Sequence, residues 1–296
     1  MRMLVLAVWL ALTPLTALAG PSVATSPAAA DAYRCPMHCE GTKRYEGPQA
    51  CPVCGMALAL ADGGRYRVTV TPAGGAPQPG VATTLTFAIA DPSGAPVTKL
   101  EVVHEKLVHL LIVSEDLSWF AHEHPERRED GTFELRMTFP APGHYTLFHD
   151  FTPPRVGMQV VPVELTVAGT SPPAVPLVPD DQAEKIVDGF TARLASTTPL
   201  AAGKNLSLVV SLVRDGAPVR DLEPFLGAMG HLIIVSADRA RFVHSHPVAA
   251  SRGPAVSFQC RFPAPGVYKA WAQFQHAGRV LTIPFTLRVP GAVDAS

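Results

Sequence analysis

Apolar residues recur at every second position through most of the chain, the period of a strand with one buried face. Tyr66, Val68 and Val70 alternate with polar neighbours, as do Val163, Leu165 and Val167, and Val256, Phe258, Cys260 and Phe262. Two short runs, 110–113 and 232–235, are apolar throughout and read as central strands covered on both faces. Turn sequences such as Asp91-Pro-Ser-Gly94, Asp130-Gly131, Pro142-Gly143 and Asp215-Gly216 divide the strands at the spacing of a β-sandwich. No long stretch has a helical period. The nearest, 181–194, aligns partly with the strand at 66–70 and reads as mostly strand.

The same unit occurs twice. His109-Leu-Leu-Ile-Val-Ser-Glu-Asp116 matches His231-Leu-Ile-Ile-Val-Ser-Ala-Asp238, and Phe120-Ala-His122-Glu-His124-Pro125 matches Phe242-Val-His244-Ser-His246-Pro247, both at an offset of 122. Phe139-Pro-Ala-Pro-Gly143 followed by Tyr145 reappears as Phe262-Pro-Ala-Pro-Gly266 followed by Tyr268. The Pro-Gly-x-Tyr step is similar to the corner tyrosine of immunoglobulin-like sandwiches. The predicted fold is therefore mainly β: a small Cys/His module at 34–60, then two tandem immunoglobulin-like β-sandwich repeats at 64–168 and 188–290, with a Pro-rich linker at 169–187 between them.

Composition narrows the partners. The 24 basic and 25 acidic side chains leave a formal charge of −1 in 296 residues, no footprint for nucleic acid or an anionic membrane. Thirty prolines and 23 glycines suit strands and turns better than helices. Residues 1–19 read as an export signal: Arg2, an apolar core, then Ala17-Leu18-Ala19 as a small-x-small cleavage site. Residues 20–33 follow as a flexible tether, and no later segment is long and apolar enough to span a membrane. The expected location is exported, periplasmic or secreted.

Four of the five cysteines fall between residues 35 and 54. Cys35 with His38 and Cys51 with Cys54 form two x2-spaced pairs held apart by a twelve-residue loop, the way a tetrahedral metal site is closed in a chain too short for a core. Met37 and Met56 stand directly beside them. Thioethers bind copper(I) or silver better than zinc, so a soft heavy metal is favoured, with zinc as the alternative. Disulfide pairing is the competing use of four cysteines in an exported chain, and a purely structural zinc ribbon is another.

Tyr33-Arg-Cys-Pro-Met-His38 with Cys51-Pro-Val-Cys-Gly-Met56 resembles the heavy-metal-binding domain at the N-terminus of bacterial copper P-type ATPases and of periplasmic adaptors of copper and silver efflux systems. The resemblance implies that Cys35, His38, Cys51 and Cys54 bind a soft transition metal, with Met37 and Met56 as further candidates and an efflux component as a partner. The family form has Pro-Glu after the histidine, whereas Cys39-Glu40-Gly41 follows here. Cys39 is thus a fifth ligand, a replacement for His38 or a spare thiol. The repeats resemble sandwich domains that accompany this module in exported bacterial proteins.

The other ten histidines lie in the repeats. Residues i and i+2 of a strand share a face, so His122 with His124 and His244 with His246 each present two imidazoles side by side. His109 and His231, at the heads of the central strands, are third donors that would complete a three-histidine set. Backbone-bonded corner histidines before a strand-ending proline are the competing reading. The first repeat, with His104, His144, His149 and Met158 in addition, is the richer candidate; His276 and Met229 are extras of the second. Cys260 aligns with Met137 and reads as a buried small hydrophobe, and Trp119 and Trp271 as packing.

No nucleophile motif is recognisable, and Asp116 and Asp238 are accounted for as turn-capping residues. The chain reads as a heavy-metal-binding protein that sequesters or delivers its ion, and not as an enzyme. An oxidase-like copper site is a minor alternative. A scaffolding or adhesive sandwich whose Cys module only stabilises it is the rival from another class.

Overall fold

The computed structural model describes residues 32–35, 40, 43–47, 49, 51–52, 58–61, 65–247 and 252–291. The predicted export signal, nearly all of the tether, and Met37, His38, Cys39, Cys54 and Met56 lie outside the described residues. Among the described residues there is no helix long and apolar enough to cross a membrane.

Each repeat folds as two antiparallel sheets face to face. In the module, β1 (Tyr33–Arg34) pairs with β2 (Ala59–Leu60). The first sandwich runs β3 (Arg67–Pro72), β4 (Ala82–Ala90), β5 (Val108–Ser114), β6 (Phe120–Glu123), β7 (Glu126–Arg127), β8 (Phe133–Thr138), β9 (Gly143–Phe151) and β10 (Gln159–Val167). Its sheets have the orders β3-β4-β8-β7 and β10-β9-β5-β6. The second sandwich runs β11 (Glu184–Val187), β12 (Phe190–Ser196), β13 (Asn205–Arg214), β14 (Ala217–Pro218), β15 (His231–Ser236), β16 (Phe242–Ser245), β17 (Ala255–Arg261), β18 (Gly266–His276) and β19 (Arg279–Val289). Here β11, β12, β13 and β17 make one sheet, with β14 also on β13, and β16-β15-β18-β19 make the other.

The alternation read from the sequence is the burial pattern of these strands: Val256, Phe258 and Cys260 face the core of β17 while their neighbours are half-buried or exposed. Tyr145 and Tyr268 donate from their hydroxyls to the carbonyls of Ala141 and Ala264 at 2.8 and 2.7 Å, so both corner tyrosines tie strand starts to backbone. Cys260 is buried at 2% exposure, and burial pushes its thiol up to about 12, which leaves it inert.

The second sandwich begins before the predicted boundary at 188. β11 starts at Glu184 and turns into β12 through Asp188 (φ 48) and Gly189 (φ 80), a two-residue hairpin whose positive φ values match the twist of the strands. The predicted linker is also packed down. Val175 N donates to Asp116 Oδ2 at 2.9 Å, Leu177 enters an apolar cluster, and Asp180 pairs with Lys185 at 2.6 Å and with the backbone of Thr286.

The runs 110–113 and 232–235 are apolar throughout because both of their faces are covered. Leu110 and Ile112 point into the first sandwich's core, while Leu111 and Val113 join Ile233, Val235 and Trp271 in a third cluster between the sandwiches. Sheets β10-β9-β5-β6 and β16-β15-β18-β19 therefore pack on each other, and their facing positions form a seam.

Candidate metal centre

On β5 the seam face carries His109, Leu111 and Val113, and in the β6 segment it carries Phe120, His122 and His124, because side chains two apart share a face. Antiparallel pairing sets Leu111 opposite His122 and His109 opposite Asp150 of β9. The result is a cluster in which His109 Nδ1 lies 3.2 Å from both His122 Nε2 and His124 Nε2. The repeat builds the same cluster from His231, His244 and His246, with His231 Nδ1 3.2 Å from His244 Nε2. In each trio one ring nitrogen per residue lies within 4.8 Å of the other two.

The far nitrogens of these rings are held by partners that decide the tautomer. His109 Nε2 donates to Val103 O at 3.0 Å and His231 Nε2 to Phe225 O at 2.8 Å. His122 Nδ1 donates to Oε1 of Gln273 at 2.7 Å, and His244 Nδ1 to Oδ2 of Asp150 at 3.0 Å. The Gln273 amide is oriented in turn by its own N–H bond to Thr282 Oγ1 at 3.0 Å. The protons thus sit outward, and the lone pairs of His109 and His122, and of His231 and His244, face each other with no proton between them. His246 Nε2 has no hydrogen-bond partner among the described residues and is buried.

That arrangement is unfavourable unless a cation lies between the nitrogens. Ligand nitrogens about 2.0–2.1 Å from one tetrahedral ion stand about 3.3 Å apart, close to the spacing found here. Burial also keeps the imidazoles neutral: His109 and His231 are pushed down to about 4 and His124 to about 3, and His122, His244 and His246 are held well below the ordinary range. Neutral imidazole is the ligand form. The donor set fits a borderline transition metal, and the imidazole-to-carbonyl and imidazole-to-carboxylate bonds are the outer contacts that metal-binding histidines use.

The two clusters adjoin across the seam. The ring of His109 is 5.6 Å from that of His244, and the ring of His122 is 5.7 Å from those of His231 and His244. The orienting residues are exchanged: Gln273, on the second sandwich, serves His122 of the first, and Asp150, on the first, serves His244 of the second. Burial pushes Asp150 up to about 7, and a cation on the far side of His244 would pull it back toward the carboxylate.

Strand geometry and the repeat bring forward from the sequence the six histidines that cluster here, but not their outer partners. Asp150 and Gln273 are polar residues on seam-facing positions of β9 and β18, next but one to Phe148 and Trp271, and that interruption of an apolar face was the available signal. The expected surplus of donors in the first repeat does not form one cluster. His144 is exposed against Thr166, and His149 lies inside the first sandwich with Nδ1 bonded to Val161 O and its ring edge-on to Phe87. His104 crosses to the second cluster, stacked on His246 at 3.7 Å. His276 faces Asp221 at 3.2 Å, and Met229 packs on the second core.

Of the module's predicted ligands, Cys35 and Cys51 are described, and both are buried, at 4% and 2% exposure. Leu60 N donates to Val156 O at 2.8 Å, which docks the module on the loop that follows β9 and Asp150. A side chain at Gly157 (φ +83) would come within 2.5 Å of Ala59 Cα, so the contact requires glycine.

The fold and these clusters define an all-β, two-sandwich protein with an N-terminal heavy-metal-binding domain: residues 32–59 match the family described as heavy metal binding domain. Residues 59–169 and 185–291 match the family described as Domain of unknown function (DUF8832), and the chain belongs to that family. No curated protein matches. Among solved structures, the adhesin FdeC of Escherichia coli is similar at 14% identity over 79% of this chain and 67% of that one, with a TM-score of 0.25. Invasin, a bacterial integrin-binding protein, is similar at 14% over 75% of this chain and 39% of that one, with a TM-score of 0.22. A two-domain fibronectin type III segment of chicken tenascin is similar at 14% over 75% and 98%, with a TM-score of 0.22.

Proposed function

We propose that this is an exported metal-handling protein that binds soft transition-metal ions, copper(I) or silver foremost and zinc as the alternative. It holds them for tolerance or for delivery to an efflux partner, and it acts as a binder and not as an enzyme. The observation that carries the reading is the convergence of proton-free imidazole nitrogens at 3.2 Å in both repeats behind a heavy-metal-binding domain. The docked module supports a division of labour in which its thiolates take the soft ion and the imidazoles of the seam hold a borderline one. The stretch 1–19 supports export.

The test is metal analysis of the reduced chain together with competition against a colorimetric copper(I) chelator, with Cys51→Ser and Cys54→Ser alongside. Copper(I) retained against the chelator and lost in the variants is the expected result. Stoichiometric zinc without copper(I) affinity would overturn the soft-metal assignment. Host metal tolerance left unchanged by deletion of 33–58 would favour the scaffolding alternative.

A further inference from the structure

The six-histidine seam is built unequally on its two sides. Around equivalent trios, the repeat places different residues at matched positions. His244 is bonded to the carboxylate of Asp150, and His122 to the neutral amide of Gln273. Lys106 is a positive neighbour of His109 and His124, whereas its match in the second repeat is Ala228.

A third difference comes from the turn that carries Lys106. Val103 and Lys106 close a two-residue turn through His104 (φ 48) and Glu105 (φ 67), and Phe225 and Ala228 close its counterpart through Leu226 (φ 50) and Gly227 (φ 69). His104 therefore lies on His246 and fixes the plane of that ring, while the matched residue is the apolar Leu226.

Two divalent ions in adjoining clusters repel each other, so the first to enter raises the cost of the second. The side that offers negative charge fills first. Building on the metal-binding role of the histidines, we propose that the seam is a two-ion centre that loads in order, a divalent transition-metal ion entering the His231, His244 and His246 side first because Asp150 reaches over from the opposite sandwich to offset its charge. The His109, His122 and His124 side, with Gln273 and Lys106, takes the second ion more weakly. Asp150 is a positioning residue: it acts on the ion through His244, whose Nδ1 proton it holds outward. Because the carboxylate and the trio it serves belong to different sandwiches, filling this side also fastens the seam.

Cobalt(II) titration of the full chain carrying Cys51→Ser and Cys54→Ser tests this, since tetrahedral cobalt(II) with nitrogen ligands is visible in its d–d bands. Two ions per chain are expected, the first bound at least about tenfold more tightly than the second. Asp150→Asn should weaken the first step by about 10–100-fold and leave the second in place, the loss typical of an outer partner of a metal-bound histidine. Gln273→Glu should strengthen the second step, a gain that damage to the fold would not produce and that keeps the test open if Asp150→Asn folds poorly. One ion per chain, two equal constants, or constants unmoved in both variants would overturn the proposal. Absence of cobalt(II) binding would overturn it too, while copper(I) competition by the module would still report on the soft-metal reading separately.

Discussion

The ring of Phe120 stacks on that of Trp271 at 4.6 Å and 14°, one residue from each sandwich, and Phe148 on Phe242 repeats the pair at 5.0 Å and 24°. These pairs hold the seam closed beside the histidines, and they lie two residues from His122, His244, Asp150 and Gln273 on the same strand faces. Trp271→Ala should cost about 3–5 kcal/mol, the usual range for deleting a large buried aromatic side chain. Because Gln273 and Asp150 reach their histidines across this seam, cobalt(II) affinity should fall as well. Denaturant unfolding and metal titration of the same variant check both; full affinity in a destabilised protein would separate the seam from the site.

His246 presents a buried ring nitrogen that has no hydrogen-bond partner among the described residues. Burying such a group costs about 1–3 kcal/mol. His246→Leu should therefore leave the metal-free protein as stable as the parent or more so, while it removes the metal-dependent rise in melting temperature contributed by the second cluster. In the parent, an ion at a hundred times its dissociation constant should add about 2.7 kcal/mol per site. Thermal melts with and without metal give both quantities.

His149 carries a pH dependence that is independent of the clusters. Burial pushes it down to about 4, against about 6.5 in an unfolded chain. Above pH 6.5 both states are neutral. As pH falls from there, the unfolded chain takes up a proton that the folded one refuses, so stability is lost progressively down to about pH 4 and is constant below, by about 3 kcal/mol in all. His149→Leu should remove this share of the acid sensitivity. As the pH drops from 7 to 4 the unfolding free energy of the variant should rise by about 3 kcal/mol relative to that of the parent, whichever is the more stable at pH 7, and parallel curves would show that the imidazole does not titrate this way.

Gly157 fixes the module against the first sandwich. Gly157→Val, which brings both a forbidden Cβ and a strained positive φ, should lift β2 away from the 153–157 loop. Cys51, only 2% exposed, should then react with an alkylating reagent much faster in the metal-free protein. Unchanged thiol reactivity would mean that the module stays docked through other contacts.

Much of the fold was legible because a two-residue period is local: Val256, Phe258 and Cys260 declare a half-buried strand whatever surrounds it. The unbroken runs 110–113 and 232–235 declared cover on both faces, but not what supplies the outer cover. The second sandwich starts four residues before the predicted boundary at 188, inside the stretch 181–194 that already reads as mostly strand, because β11 is a short, largely exposed strand that directly follows the prolines of the linker. At the site, His122 with His124 and His244 with His246 were legible from strand geometry, and the matched His109 and His231 from the repeat. His104 reads from its position as a donor for its own repeat, although a tight turn sends it across to the other.

The order of the residues alone determined that each repeat would carry two histidines on one strand face, His122 with His124 and His244 with His246, and a third at the head of another strand, since side-chain direction along a strand is set by the backbone. Only the tertiary structure decided that the two faces meet, that the rings turn their lone pairs inward, and that Asp150 and Gln273 are exchanged between sandwiches. Those outcomes depend on how two sheets dock through Phe120, Phe148, Phe242 and Trp271, a relation between residues more than ninety positions apart that no local pattern encodes.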